Sequence, residues 1–286
     1  MFDQSGAEKM NMRSVYLPRA GQVAAGALLA LLAAVAPARA QYGRPSMEDP
    51  AIGEKYHVEA ELNFFNPDLE AQISSESLGI IGSDIDVKSD LGYVDKTIRE
   101  FRLVLRPGKK HKFRIAYTPV KYEGDSLLAR TIVFNGISYK VGLPIQTAFK
   151  WDTWRFGYEY DFVYTDRGYA GFIVEARQTD ASLELTSPVD DEFTRARGPI
   201  PAIGGAFRFY PVKHFSVTGE VTGFKVPEIN DYKGDFFDLD IYGTYNFTHN
   251  FGLKAGYRTL DASYLAKDDN GSLKLKGLYF SGLVRF

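Results

Sequence analysis

Residues Trp154-Arg155-Phe156-Gly157-Tyr158-Glu159-Tyr160-Asp161-Phe162 alternate between large apolar rings and charged or glycine positions. Successive side chains of an extended chain point to opposite faces, so this stretch predicts a strand with one aromatic face and one charged face. The same period recurs from end to end. Its apolar positions run Tyr56-Val58-Ala60-Leu62-Phe64, Phe101-Leu103-Leu105, Phe113-Ile115-Tyr117 and Ala170-Phe172-Val174-Ala176. They continue as Ile203-Gly205-Phe207-Phe209, Phe215-Val217-Gly219-Val221 and Phe237-Leu239-Ile241-Gly243-Tyr245-Phe247, and end as Phe251-Leu253-Ala255-Tyr257 and Leu278-Phe280-Gly282-Val284-Phe286. With the opening stretch these make ten strands.

Charge is confined to the other face. No apolar stripe contains Asp, Glu, Lys or Arg. The interleaved positions carry nine acids, Glu59, Glu61, Glu100, Glu159, Asp161, Glu175, Glu220, Asp238 and Asp240, and ten bases, Arg102, Arg106, Lys112, Arg114, Arg155, Arg177, Arg208, Lys254, Arg258 and Arg285. A soluble barrel would turn the apolar face inward; a transmembrane barrel turns it outward to lipid. The connections separate the two. Short turns at Pro107–Lys110, Thr165–Gly168, Pro211–His214 and Thr248–Asn250 alternate with long connections over Asn66–Asp95, Glu123–Leu143, Thr186–Pro199, Lys225–Gly234 and Ala266–Gly271. Such alternation is the pattern of short periplasmic turns and long extracellular loops. Phe113, Phe162, Phe209, Phe215, Phe247, Phe251 and Phe286 all fall on the apolar face beside a turn or terminus, as an interfacial girdle requires. The predicted fold is all-β: a ten-stranded antiparallel up-and-down transmembrane β-barrel.

Composition narrows the function. The 286 residues include no cysteine, which excludes disulfides, thiolate metal ligands and thiol nucleophiles. A formal charge of −2 offers no basic footprint for nucleic acid. Gln22 to Ala38 is an apolar run preceded by Arg13 and Arg19 and followed by Ala38-Arg39-Ala40. That is the form of a secretory signal peptide cleaved after Ala40, with Met10 or Met12 as alternative starts. The expected organisation is a signal peptide over 1–40, a periplasmic N-terminal segment over 41–54 and the barrel over 55–286.

The leader ending Ala38-Arg39-Ala40 and the last strand Lys276-Gly277-Leu278-Tyr279-Phe280-Ser281-Gly282-Leu283-Val284-Arg285-Phe286 resemble those of Gram-negative outer-membrane β-barrel proteins. The resemblance implies residence in the outer membrane, contact with its lipid and lipopolysaccharide, and insertion by the barrel-assembly machinery. It also implies that Phe286 is the assembly signal. Gly282 departs from a fully bulky final strand.

Candidate sites follow from this orientation. Glu59, Glu61, Glu100, Arg102, Arg114, Glu159, Asp161, Glu175, Arg177, Arg208, Glu220, Asp238, Asp240, Lys254 and Arg258 are expected to form a lumen ion-pair network, since unpaired buried charge is costly. Side chains nearly fill a barrel of this size, so a plug is favoured over an ion path. The first long connection is acidic, and Asp84, Asp86 and Asp90 are weak candidates for a divalent cation; they lack the glycine and distal glutamate of an EF-hand, and a solvated acidic loop is the simpler expectation. Asn135-Gly136 between apolar runs signals a tight hairpin that either projects as an adhesive tip or caps the mouth. Asp190-Asp191-Glu192-Phe193-Thr194-Arg195-Ala196-Arg197 in the third long connection pairs acids with two arginines that could grip lipopolysaccharide phosphates, a solvated loop being the simpler expectation. Paired aspartates also resemble those of the omptins, ten-stranded outer-membrane proteases, but no Asp-x-His partner is present. His57, His111, His214 and His249 all map to the periplasmic end, away from where an omptin-like protease or lipid A deacylase would need a base. The expected role is non-catalytic and without cofactor: an envelope structural or surface-interaction protein, with a small porin-like transport pore as the alternative and an outer-leaflet enzyme as a third.

Overall fold

A computed structural model describes residues 14–16, 51–75, 82–134, 136–188, 191–229, 232–266 and 269–286. The cleavage site after Ala40 lies outside the described residues, as does the rest of the expected leader apart from 14–16. Ten strands, numbered in chain order, form the wall. They are β1 Val58–Ser75, β2 Ile98–Gly108, β3 His111–Leu127, β4 Pro144–Thr165, β5 Gly168–Thr186, β6 Asp191–Val212, β7 Phe215–Ile229, β8 Tyr232–Asn246, β9 Phe251–Ala266 and β10 Asp269–Arg285. Each pairs antiparallel with the next, and β10 closes on β1 from Arg285↔Glu59 to Asp269↔Ser75. Closure is what hydrocarbon demands, because an open edge there would leave backbone donors and acceptors unsatisfied.

The stripes face as the alternation requires, but only over the lower half of the barrel. In β1, Glu59, Glu61 and Asn63 are buried inside while Leu62 and Phe64 are exposed outside. Above Phe64 the polarity inverts. Asn66, Asp68, Glu70 and Gln72 face out, and Phe65, Leu69 and Ala71 are buried. In β10 the lower outward residues are Leu278, Phe280 and Val284 and the upper ones Lys276 and Lys274, with Leu273 and Leu275 buried behind them. Outward charges appear at the matching height elsewhere: Lys121 on β3, Lys150 on β4, Lys225 on β7 and Asp235 on β8. The outward apolar stretch is about nine residues on β4 and β10, the length of a tilted strand crossing a bilayer. Tyr117 and Trp154, stacked with ring centroids 4.6 Å apart, sit near its upper limit.

This inversion changes the expected upper connections. Strands run on well past the apolar band, so Asp191 already pairs with Thr186, and Val226 with Gly234. Most of Thr186–Pro199, Lys225–Gly234 and Ala266–Gly271 is therefore ladder rather than loop. Pro67, which suggests a turn by sequence, lies inside β1. Its missing N–H points toward β2, whose pairing with β1 has already ended at Phe65↔Ile98. The upper parts of the strands enclose an apolar core of Leu69, Val120, Tyr122, Ile145, Leu183, Leu185, Phe236, Leu260 and Leu275. It is built like the interior of a soluble barrel.

Candidate functional site

The interior is occupied at three levels. At the lower end, residues 51–57 fold across the mouth. Ala51 N donates to Asp166 O at 3.3 Å and Ile52 N to Lys213 O at 2.9 Å, so the strap is tied to two of the lower turns. Gly53 has φ 91°, and a Cβ there would strike Arg285 and Asn246, so only glycine fits. The strap delivers Glu54 into the lumen. Arg106 Nη1 donates to its carboxylate at 3.2 Å and to its main-chain oxygen at 2.6 Å; Arg208 Nη1 and Tyr210 Oη donate to Oε1 at 3.1 and 2.6 Å. Nothing in the alternation marks Glu54, because it precedes the first strand.

The middle level holds the charges that the stripes leave inside. Arg258 donates from Nε and Nη2 to Asp238 at 2.8 and 2.7 Å and from Nη1 to Glu100 at 2.8 Å. Arg177 reaches Asp238 at 2.8 Å and Glu175 at 2.5 Å. Arg102 pairs with Glu100 and, at 3.2 Å, with Asp240, which also accepts from Tyr279 Oη at 2.7 Å. Arg114 bridges Glu159, at 2.7 Å, and Glu220. Lys112 contacts Glu159 at 2.6 Å and Asp161 at 3.0 Å; Lys254 contacts Glu61 at 2.6 Å, and Arg285 contacts Glu59 at 2.5 Å. Arg102–Glu100 and Arg177–Glu175 lie within β2 and β5, whereas Arg258–Glu100, Arg102–Asp240, Arg177–Asp238, Arg114–Glu220 and Lys254–Glu61 join strands that are not neighbours and so tie the wall together across the lumen. A cavity of about 30 Å³ among Arg114, Arg155, Glu159, Glu220, Tyr242 and Lys254 leaves room for one or two waters.

The upper level is apolar and is completed by the first two upper connections. Ile85, Val87, Leu91 and Tyr93 are buried there, and Ile85–Asp86 pairs with β1 at Ile73 and Gln72. The described part of the acidic first connection, residues 82–95, is thus a plug and not a solvated loop. Its sequence held the signal, an apolar Ile85-x-Val87-x-x-x-Leu91-x-Tyr93 series inside the acidic run. Ile132–Phe134 and Ile137–Tyr139 form the hairpin, with Gly136 at φ 80°; Asn135 lies outside the described residues. Ile132, Phe134 and Tyr139 are fully buried, so the hairpin caps the mouth and does not project.

The candidate cation ligands are drawn into this plug. Asp86 Oδ1 accepts from Lys88 N at 3.0 Å and Ser89 N at 2.8 Å, forming the turn. Asp90 accepts from Asp86 N at 3.0 Å and from Arg130 Nε and Nη2 at 3.0 and 2.7 Å. The Arg130 guanidinium holds the Asp90 carboxyl below the usual carboxylate range. Asp84 is exposed and meets Arg130 only through its main-chain oxygen. Among the described residues no three His, Asp or Glu side chains converge as a metal cage. His57, His111, His214 and His249 lie at the turn end: His57 N donates to Phe286 O at 2.6 Å, and His111 Nδ1 shares a 2.6 Å hydrogen bond with Tyr158 Oη.

A closed ten-stranded antiparallel wall with an apolar belt and a filled, charged lumen defines an outer-membrane type of β-barrel. No family model and no curated protein matches the chain. Among solved structures it is similar to the outer membrane protease OmpT from Escherichia coli, at TM-score 0.51 and 9% identity over 84% of this chain and 100% of that one. It is also similar to Neisserial surface protein A, at TM-score 0.32 and 16% identity over 80% and 97% of the two chains. A third is Ail, the attachment invasion locus protein of Yersinia pestis, at TM-score 0.33 and 10% identity over 79% and 99%. At such identities the likeness is one of fold. The chain has the architecture of the small Gram-negative outer-membrane barrels.

Proposed function

We propose that this is an exported, integral outer-membrane barrel that neither conducts nor catalyses, and that it serves as a structural or surface-interaction element of the envelope. The observation that carries this reading is the lumen, filled by the strap at Glu54, by the charge lattice around Asp238 and Glu100, and by the plug at Ile85–Tyr93. Opening a path would require breaking several buried ion pairs at once, and each break strands a charge at roughly 3–5 kcal/mol. The histidines lie at the end opposite the plug, which supports a non-catalytic role. In this reading the leader is cleaved after Ala40 in the periplasm, and the assembly machinery inserts the barrel by its terminal Phe286. The exposed lipid-facing belt then meets outer-membrane lipid and lipopolysaccharide. Planar-bilayer recording of the purified barrel tests it. A silent bilayer is expected, and steady ohmic conductance that a Glu54→Ala variant enlarges would establish the transport pore instead.

A further inference from the structure

Charge is divided unevenly along the barrel axis. Over residues 41–286, the upper wall and the connections between its strands hold fourteen Lys and Arg against twenty-one Asp and Glu. The lumen holds ten of each once Glu54 of the strap is included, so it is neutral. Cations are in excess at the turn end. It carries Lys55, Lys109, Lys110, Arg167 and Lys213 with Asp166. The residues before the strap, outside the described residues, add Arg44, Glu48 and Asp49, which makes six cations against three acids. Counting the Phe286 carboxylate as a fourth anion still leaves the end positive.

The cations of the turns form an arc. Asp161 N donates to Lys110 O at 2.9 Å and Tyr210 N to Arg167 O at 2.8 Å, so the β2–β3, β4–β5 and β6–β7 turns follow one another along one side of the mouth. Lys109, Lys110 and Arg167 are exposed and form no ion pair among the described residues; Lys213 is engaged and is not counted with them. Asp166 is the one acid on these three turns, and the β8–β9 turn, Thr248–Asn250, has no Lys or Arg. Outward apolar side chains stand directly above the arc: Phe113, Phe162, Phe209 and Val212 are all exposed. Lys110 precedes Phe113 by three residues. That is about 10 Å of strand, and about 7–8 Å along the membrane normal at a tilt of roughly 40°. The headgroup layer is about 5–8 Å deep on each side of the hydrocarbon. A lysine at that depth reaches lipid phosphate while the ring above it stays among acyl chains.

We propose that this arc is a docking surface for anionic phospholipid of the leaflet at the turn end, with Lys109, Lys110 and Arg167 holding the headgroups beneath one side of the apolar belt. This rests on the barrel spanning the membrane as argued above. Trp154→Phe protein, in which the buried Trp151 is a constant background, receives one added tryptophan: Phe113→Trp above the arc, or Phe251→Trp beside the β8–β9 turn. Heat-modifiable mobility shows that each is folded. Each is reconstituted at pH 8 into phosphatidylcholine vesicles with an equal fraction of acyl-brominated phosphatidylglycerol or acyl-brominated phosphatidylcholine, and fluorescence quenching is read. At position 113 the brominated phosphatidylglycerol should quench roughly twofold more or better, and at position 251 the two lipids should quench alike. Lys109→Gln/Lys110→Gln/Arg167→Gln should remove the preference at 113, and 1 M salt, with a screening length of about 3 Å, should reduce it. No preference at 113, an equal one at 251, or one that survives the triple substitution overturns the proposal. So does a three-cation dependence found only in sedimentation with peptidoglycan, which would give the arc to the wall polymer. If neither added tryptophan is quenched by either lipid, the membrane placement itself has failed.

Discussion

Replacing Asp238 by Asn is the sharpest perturbation of the lumen. Its carboxylate takes two hydrogen bonds from Arg258 and one from Arg177, and Arg155 lies 3.7 Å away. The amide keeps the volume but removes the charge that three buried guanidinium groups share. Arg258 retains Glu100 and Arg177 retains Glu175, so the loss is partial for each, yet the centre gains a net positive charge away from water. Breaking a buried pair in this way costs about 3–5 kcal/mol. For a chain of this size that corresponds to roughly 6–20 °C in thermal midpoint. The control is Asp261→Asn, whose partner Lys274 lies 4.0 Å away on the exposed outer face of the upper wall; such surface pairs contribute about 0–1 kcal/mol. Heat-modifiable mobility on gels gives both midpoints in the same detergent. Adding Arg258→Gln to Asp238→Asn should recover part of the loss, since charge balance returns. Equal midpoints for Asp238→Asn and Asp261→Asn would refute the claim that the lumen charges hold the barrel together.

Other consequences are open to direct measurement. The Asp90 carboxyl is held low by Arg130, so its stabilising contribution is complete above the unfolded carboxylate value near ~4 and is lost as pH falls through the lower folded value. Protease cleavage within 82–95 should therefore rise only below about pH 4, and Asp90→Asn should weaken that pH dependence without abolishing it, because Lys88 also holds the Asp95 carboxyl low; loosening near pH 6 would contradict the pair. Deleting Asp84–Asp90 should still permit insertion but lower the thermal midpoint, because Ile85 and Val87 each bury roughly 1.5–3 kcal/mol of apolar surface; an unchanged midpoint would mean that the plug contributes nothing. Deleting Phe286 or replacing it with Asp should reduce folded protein in the outer membrane, and normal assembly would remove its role as the terminal signal. An epitope after Ser89 should be labelled on intact cells and one after Gly108 only after permeabilisation, with swapped labelling inverting the topology.

The lower half of the barrel was legible because one face had to be free of charge. Leu62 and Phe64 against Glu61 and Asn63 permit a single phase. The upper half was not, for a related reason. From Asp68, Lys121 and Lys276 onward the outer face is wet, so the strand continues with its polarity exchanged and a search for outward apolar residues ends too soon. Pro67 and Pro199 reinforced that reading, since a missing donor suggests a turn unless the neighbouring strand is known to have stopped. The strap escaped for a different cause: Ala51-Ile52-Gly53-Glu54 has no period at all, and its place is set by contacts with turns far along the chain.

The account depends most on where the outer surface of β1 leaves the bilayer. Because the chain has no cysteine, single cysteines at Leu62, Phe64, Asp68 and Glu70 can be reacted in vesicles with a membrane-impermeant thiol reagent. All four side chains face outward. Cysteines at 62 and 64 should stay unreacted and those at 68 and 70 react quickly, with the change falling between Phe64 and Asp68. Uniform fast reaction at all four positions would mean that the apolar belt never meets lipid.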